Sequence, residues 1–144
     1  MPTATFNKFY SFSEAVAEKV HNLGSDTLKV MLTNTAPVAT NTIKTNLTDI
    51  TAVGTDYPAG GKPATISSSS QSSGLYKLIL GDVVFGPVAA SVGPFRYAVL
   101  YNDTATNKEL IGWWDNGANV TLTSGQSFTV DFDPTLGAVT ITPV

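Results

Sequence analysis

The chain has 144 residues, a formal net charge of -3 and no cysteine, with 13% of its residues charged and 42% hydrophobic. Those values fit one packed domain with a polar, weakly charged exterior, and they exclude disulfides, thiolate zinc sites and a cysteine nucleophile. Lys and Arg total 8 with no basic run, so nucleic acid is not an expected partner, and no apolar run approaches the roughly 20 residues that cross a bilayer, so neither is a membrane.

The first residues lack a charged segment followed by an apolar one, so the chain is expected to be made and used without secretion. Residues 1–10 carry Phe6, Phe9 and Tyr10 in an arm too short to have its own core. Such an arm packs under its own domain or reaches a neighbouring subunit. Ser11-Phe-Ser-Glu14 has the spacing of a capping box and Gly24 can close a helix, which predicts an α-helix over 12–23 with Phe12, Val16, Val20 and Leu23 as its apolar stripe. His21, the only histidine, falls in the last turn of that helix, and no other ligand is spaced to join it at a metal.

From Asp26 to Asn34 the pattern is a strand with Leu28, Val30 and Leu32 buried and Lys29, Met31 and Thr33 outward. Residues 35–62 are rich in Thr, Asn, Pro and Gly and predict a long loop, with one or two helical turns near 46–53, of the kind that binds or assembles. Ala64 to Ser73 reads as a polar edge strand that turns at Gly74, and Leu75 to Leu80 as its partner. Asp82 to Ala89 follows as a strand that Gly86-Pro87 bends.

Gly93 to Asp103 is the organising strand, apolar on both faces, with Phe95, Tyr97, Val99 and Tyr101 on one and Arg96, Ala98, Leu100 and Asn102 on the other. Lys108 to Asp115 returns as a strand whose neighbouring indoles, Trp113 and Trp114, point to opposite faces, one to the core and one outward unless a second layer covers it. Asn116-Gly117 signals a tight hairpin into Val120 and Leu122. Phe128, Val130 and Phe132 define a one-sided strand, and Val139 and Ile141 close the sheet. The resulting expectation is one all-β domain over 1–144, an antiparallel β-sandwich of Greek-key or jelly-roll type with one N-terminal α-helix.

The motifs of chemistry are missing. The chain has no Gly-x-Ser-x-Gly, no Walker loop and no dinucleotide fingerprint, and Asp131 with Asp133, or Asp103 with Asp115, has the character of turn and edge carboxylates rather than a glycosidase pair. The reading is therefore not an enzyme, with no catalytic residue, cofactor or metal expected. Two binding classes are left. An aromatic platform from Trp113, Trp114, Tyr97, Tyr101 or Tyr57 would hold a sugar ring, whereas an assembly protein would use its arm and loop to contact other subunits.

Phe9 to Leu32, with Lys19-Val-His-Asn-Leu-Gly24 and Asp26-Thr-Leu-Lys-Val-Met-Leu-Thr-Asn-Thr-Ala-Pro37, and Gly93 to Asp103 with Leu110-Ile-Gly-Trp-Trp-Asp115, resemble a group of small virion structural proteins of tailed bacteriophages and prophages. The similarity runs nearly end to end and departs at 82–90, where Gly86-Pro87 interrupts the strand. It implies a capsid decoration, or cement, protein made in the host cytoplasm and carried on the capsid surface, with the major capsid protein and its own copies, as dimer or trimer, for partners. A receptor- or glycan-binding spike or fibre domain is the alternative, and a neck or tail component the third. The interface residues expected on this reading are Phe6, Phe9, Tyr10, Tyr57 and Trp113.

Overall fold

Alternating apolar side chains and closely spaced turns give ten strands among residues 4–142, which are the residues that the computed structural model describes. In chain order they are β1 (Asn7–Lys8), helix α1 (Ser11–Ala17), β2 (Leu28–Thr33), a 3-10 turn (Lys44–Asn46), β3 (Lys62–Ala64), β4 (Ile66–Ser72), β5 (Leu75–Leu80), β6 (Val83–Phe85), β7 (Val92–Asn102), β8 (Leu110–Leu122), β9 (Phe128–Val130) and β10 (Val139–Ile141). All paired strands are antiparallel. Five form one sheet in the order β1-β8-β7-β2-β3, and β10-β5-β4 together with β6-β9 form the opposing layer. The architecture is thus the expected all-β antiparallel sandwich with one N-terminal helix.

The main core lies between the layers. Leu28, Val30 and Leu32 of β2 and Ala98 and Leu100 of β7 meet Leu78 and Leu80 of β5, Phe85 of β6 and Val139 of β10. A second, smaller cluster lies on the outer face of the five-stranded sheet, where Met31, Val99, Tyr101 and Leu110 are covered by Phe9 from the arm and Leu47 from the long loop. The organising strand β7 is therefore buried on both sides, as its sequence requires. The same cover corrects the reading of β2: Met31 and Thr33 are fully buried, because a second layer lies over the face that looked solvent-facing.

Four local expectations change. The helix ends at Ala17 rather than Leu23: Lys19 adopts φ 65 and both Val20 and His21 donate their N–H to the Ala15 carbonyl, which turns the chain so that His21 and Leu23 enter the interior. Its N-cap is Tyr10 with no side-chain cap bond, so the capping box at Ser11 does not form. Asn116-Gly117 is not a hairpin. β8 runs through it and pairs with β7 on both sides, Asp115 opposite Tyr97 and Val120 opposite Phe95, with the intervening residues bulged out. That irregularity rotates Phe95 onto the Ala98 and Leu100 face, where it meets Phe128 at 4.9 Å, ring centroid to centroid.

The strand at the β2 side of the sandwich changes layers at Thr65, leaving β3 in one sheet and β4 in the other. On the opposite side the Lys8 ammonium donates to the Thr140 carbonyl at 2.6 Å and ties β1 to β10 across the layers.

Candidate functional site

The five residues named as an interface divide between interior and surface. β1 pairs Asn7 with Trp113 and Lys8 with Gly112, so the arm is an edge strand of its own domain. Phe6 and Phe9, an odd number of residues apart, fall on opposite faces of that edge. Phe6 lies over Trp114 with ring centroids 4.8 Å apart, and Phe9 over Trp113 at 4.6 Å. Phe6 also occupies the space where a side chain at residue 112 would stand, which is why Gly112 suits that position. Phe9 is 2% exposed and therefore core rather than interface. Both indoles are half-buried, each under one aromatic of the arm. Tyr10 alone of the arm's aromatics is open, at 73% exposure.

Tyr57 is 0% exposed and is likewise withdrawn from any partner surface. Its hydroxyl donates to the Asp49 carboxylate and accepts the Leu32 N–H at 2.9 Å, while the second Asp49 oxygen accepts the Gly60 N–H at 2.6 Å. Tyr101 donates to the Gly60 carbonyl at 2.6 Å. A Cβ on Gly61, which has φ +85, would overlap the Val30 carbonyl, so only glycine lets the loop backbone lie against β2. Burial first and the Asp49 partner second push the Tyr57 hydroxyl far above the ordinary tyrosine range. The long loop is thus a clamped cover of the sandwich.

His21 lies beyond the helix, 5% exposed, with its Nδ1 3.1 Å from the Asn102 amide, which also donates to Asp26 at 2.6 Å. Burial lowers its pKa, against the opposing pull of Glu109 and Asp26. Among the described residues no group of three or more His, Asp or Glu side chains is placed to hold a metal ion.

Two surface features bear on binding. One is an apolar groove of about 430 Å³ along α1, between Tyr10, Phe12, Val16 and Ile141. It continues past Val16 and Ile141 into a second hollow of about 580 Å³ that reaches Leu23 and Tyr76. The Tyr10 N–H donates to the Ala39 carbonyl at 2.9 Å, which ties the start of α1 to the long loop. The other is a cavity of about 360 Å³ in which Trp114 and Phe128 face Asn116, Asp131 and Asp133. Neither is legible in the sequence: the groove needs Ile141 brought against residues 8–17, and the cavity gathers residues from several strands, so the one signal is the aromatic content of the arm and of residues 113 and 114.

Fold and surface together define a small all-β protein with a clamped loop and an open apolar groove beside its α-helix. No family model, no curated protein and no solved structure matches the chain.

Proposed function

We propose that this chain is a structural protein of a tailed-bacteriophage particle, a decoration protein that binds the outer capsid lattice and stabilises it by non-covalent contact with the major capsid protein. The observation that carries the reading is the groove along α1: Tyr10 and Ile141, at 73% and 39% exposure, place apolar side chains in water around a hollow whose one charged lining residue is Lys8. Exposed apolar surface of that kind marks a protein contact. The resemblance of residues 9–37, 93–103 and 110–115 to virion structural proteins is the ground for proposing the major capsid protein as partner. Repetition over a lattice multiplies modest contacts, so such a clamp needs only a few anchoring side chains per copy.

Tyr10→Ser tests this directly. The variant should melt with the parent, within about 0.5 kcal/mol, because its ring touches solvent rather than core. Its occupancy on particles should fall by about tenfold or more, as for loss of an aromatic anchor. Undiminished binding by Tyr10→Ser, or no association of the parent with particles at all, would sink the reading. A glycan-binding role is favoured by the Trp114 cavity, whose indole and carboxylates suit a sugar ring and its hydroxyls. Glycan binding that Asp131→Asn abolishes, with no affinity for particles, would select it instead.

A further inference from the structure

We propose that β4 is a self-complementary docking edge through which two copies of this chain join antiparallel about a two-fold axis at Ser70. The argument starts from how the sheet edges are protected. Natural edges are kept short, or carry Lys or Pro, to prevent pairing with another chain. β1 has two residues, one of them Lys8; β3 has three, including Lys62 and Pro63; the carbonyl of Thr140 in β10 is taken by the Lys8 ammonium at 2.6 Å. β6 and β9 have three residues each. By contrast β4 is a seven-residue edge, Ile-Ser-Ser-Ser-Ser-Gln-Ser, with no charge and no proline; its register shifts between Ile66 and Ser68, which leaves 68–72 as the regular stretch.

The register of the open edge follows from the β4–β5 turn. Ser73 and Gly74, at φ 51 and 82, form a two-residue turn between the paired Ser72 and Leu75. Positive φ at both positions is the type I′ geometry, whose closing pair is hydrogen-bonded. Alternation along the ladder then makes Ser70 with Lys77 and Ser68 with Ile79 the bonded pairs, and leaves Ser69 and Gln71 pointing their N–H and C=O groups away from β5. An independent bond agrees: the Leu78 carbonyl, opposite Ser69, accepts from Ala138 at 2.8 Å on the β10 side, away from β4. Among the described residues neither Ser69 nor Gln71 makes a further backbone hydrogen bond outside the sheet ladders.

An antiparallel copy that places Ser70 opposite Ser70 pairs Ser69 of each copy with Gln71 of the other. All four outward donors and acceptors are then satisfied reciprocally, as a two-fold contact requires. The serine side chains at 68, 70 and 72 are small, and the absence of charge on the strand removes repulsion across the axis, while the turn at Gly24 lies against the Ser69 side chain. The six strands so formed make one continuous sheet, a mode of recognition in which main-chain bonds supply the affinity. This pairing does not rest on the capsid role, and its test is separate.

Sedimentation of the intact chain at about 100 µM should give a dimer, within the range of small, weak interfaces. Ser70→Glu, which gains Lys77 of its own hairpin but sets two carboxylates against each other at the axis, should be a monomer with the parent's melting curve. Cysteines report the register whatever that variant does. Non-bonded antiparallel pairs lie about 4.5 Å apart at Cα, within disulfide reach. Ser70→Cys should therefore oxidise to a covalent dimer on its own, whereas Ser68→Cys and Ser72→Cys should crosslink only when mixed with each other. A monomeric parent, a dimer indifferent to Ser70→Glu, or Ser68→Cys crosslinking alone as readily as Ser70→Cys would each overturn the proposal.

Discussion

The Tyr57 hydroxyl shows how one side chain can decide the state of a whole loop. It lies within the sandwich and holds both the Asp49 carboxylate and the backbone N–H of Leu32 in β2. Tyr57→Phe keeps the ring and removes both bonds, leaving a buried N–H unpaired, so an unfolding titration should record a loss of about 2 kcal/mol. The same group sets an alkaline limit. Because its pKa is raised in the folded chain, its contribution is complete below the ordinary tyrosine value of about 10 and is lost as pH rises beyond it, since the unfolded chain releases the proton first. Stability measured from pH 8 to 11 should fall less steeply in Tyr57→Phe than in the parent; equal slopes would contradict the assignment. None of this could be read from the chain, where Tyr57 is an aromatic in a Thr- and Gly-rich stretch and Asp49 is one acid among eleven. A loop without periodicity does not announce its partners.

At the level of elements, the arm decides between two expectations. It was expected either to dock at home or to reach out, and the pairing of β1 with β8 brings it home, Phe6 against Trp114 and Phe9 against Trp113. Removing residues 1–8 therefore strips an aromatic from one indole and an edge strand from the sheet. A loss of about 3 kcal/mol, or roughly 10 °C in melting temperature, is the expected outcome by calorimetry. An unchanged melt would mean that the arm is dispensable. The odd spacing of Phe6 and Phe9 was a legible sign of a strand, but two paired residues are too few for alternation to be recognised. Asn116-Gly117 failed for the opposite reason: the dipeptide is a strong local turn signal, and the long-range pairing of β8 with β7 on both sides of it overrode that preference.

For the whole molecule, the layer architecture was legible because strands, turns and the two-sided apolar character of β7 are written in alternation and punctuation. What covers the outer face was not, since Leu47 and Phe9 come from segments with no period to read. The long β7–β8 hairpin, joined by residues 103–109, also bears on how the chain reaches this state. It is the one pairing in the five-stranded sheet between segments close along the chain, whereas β2 must close over the intervening 34–91 and β1 must find β8 from 106 positions away. Loop-closure entropy grows with that separation, so the hairpin is the cheapest nucleus for that sheet and its flanking strands add to it later. The arm that packs on both indoles is then the last strand of its sheet to arrive, and until it does Trp113 lacks Phe9 and Trp114 has only Phe132 for an aromatic neighbour.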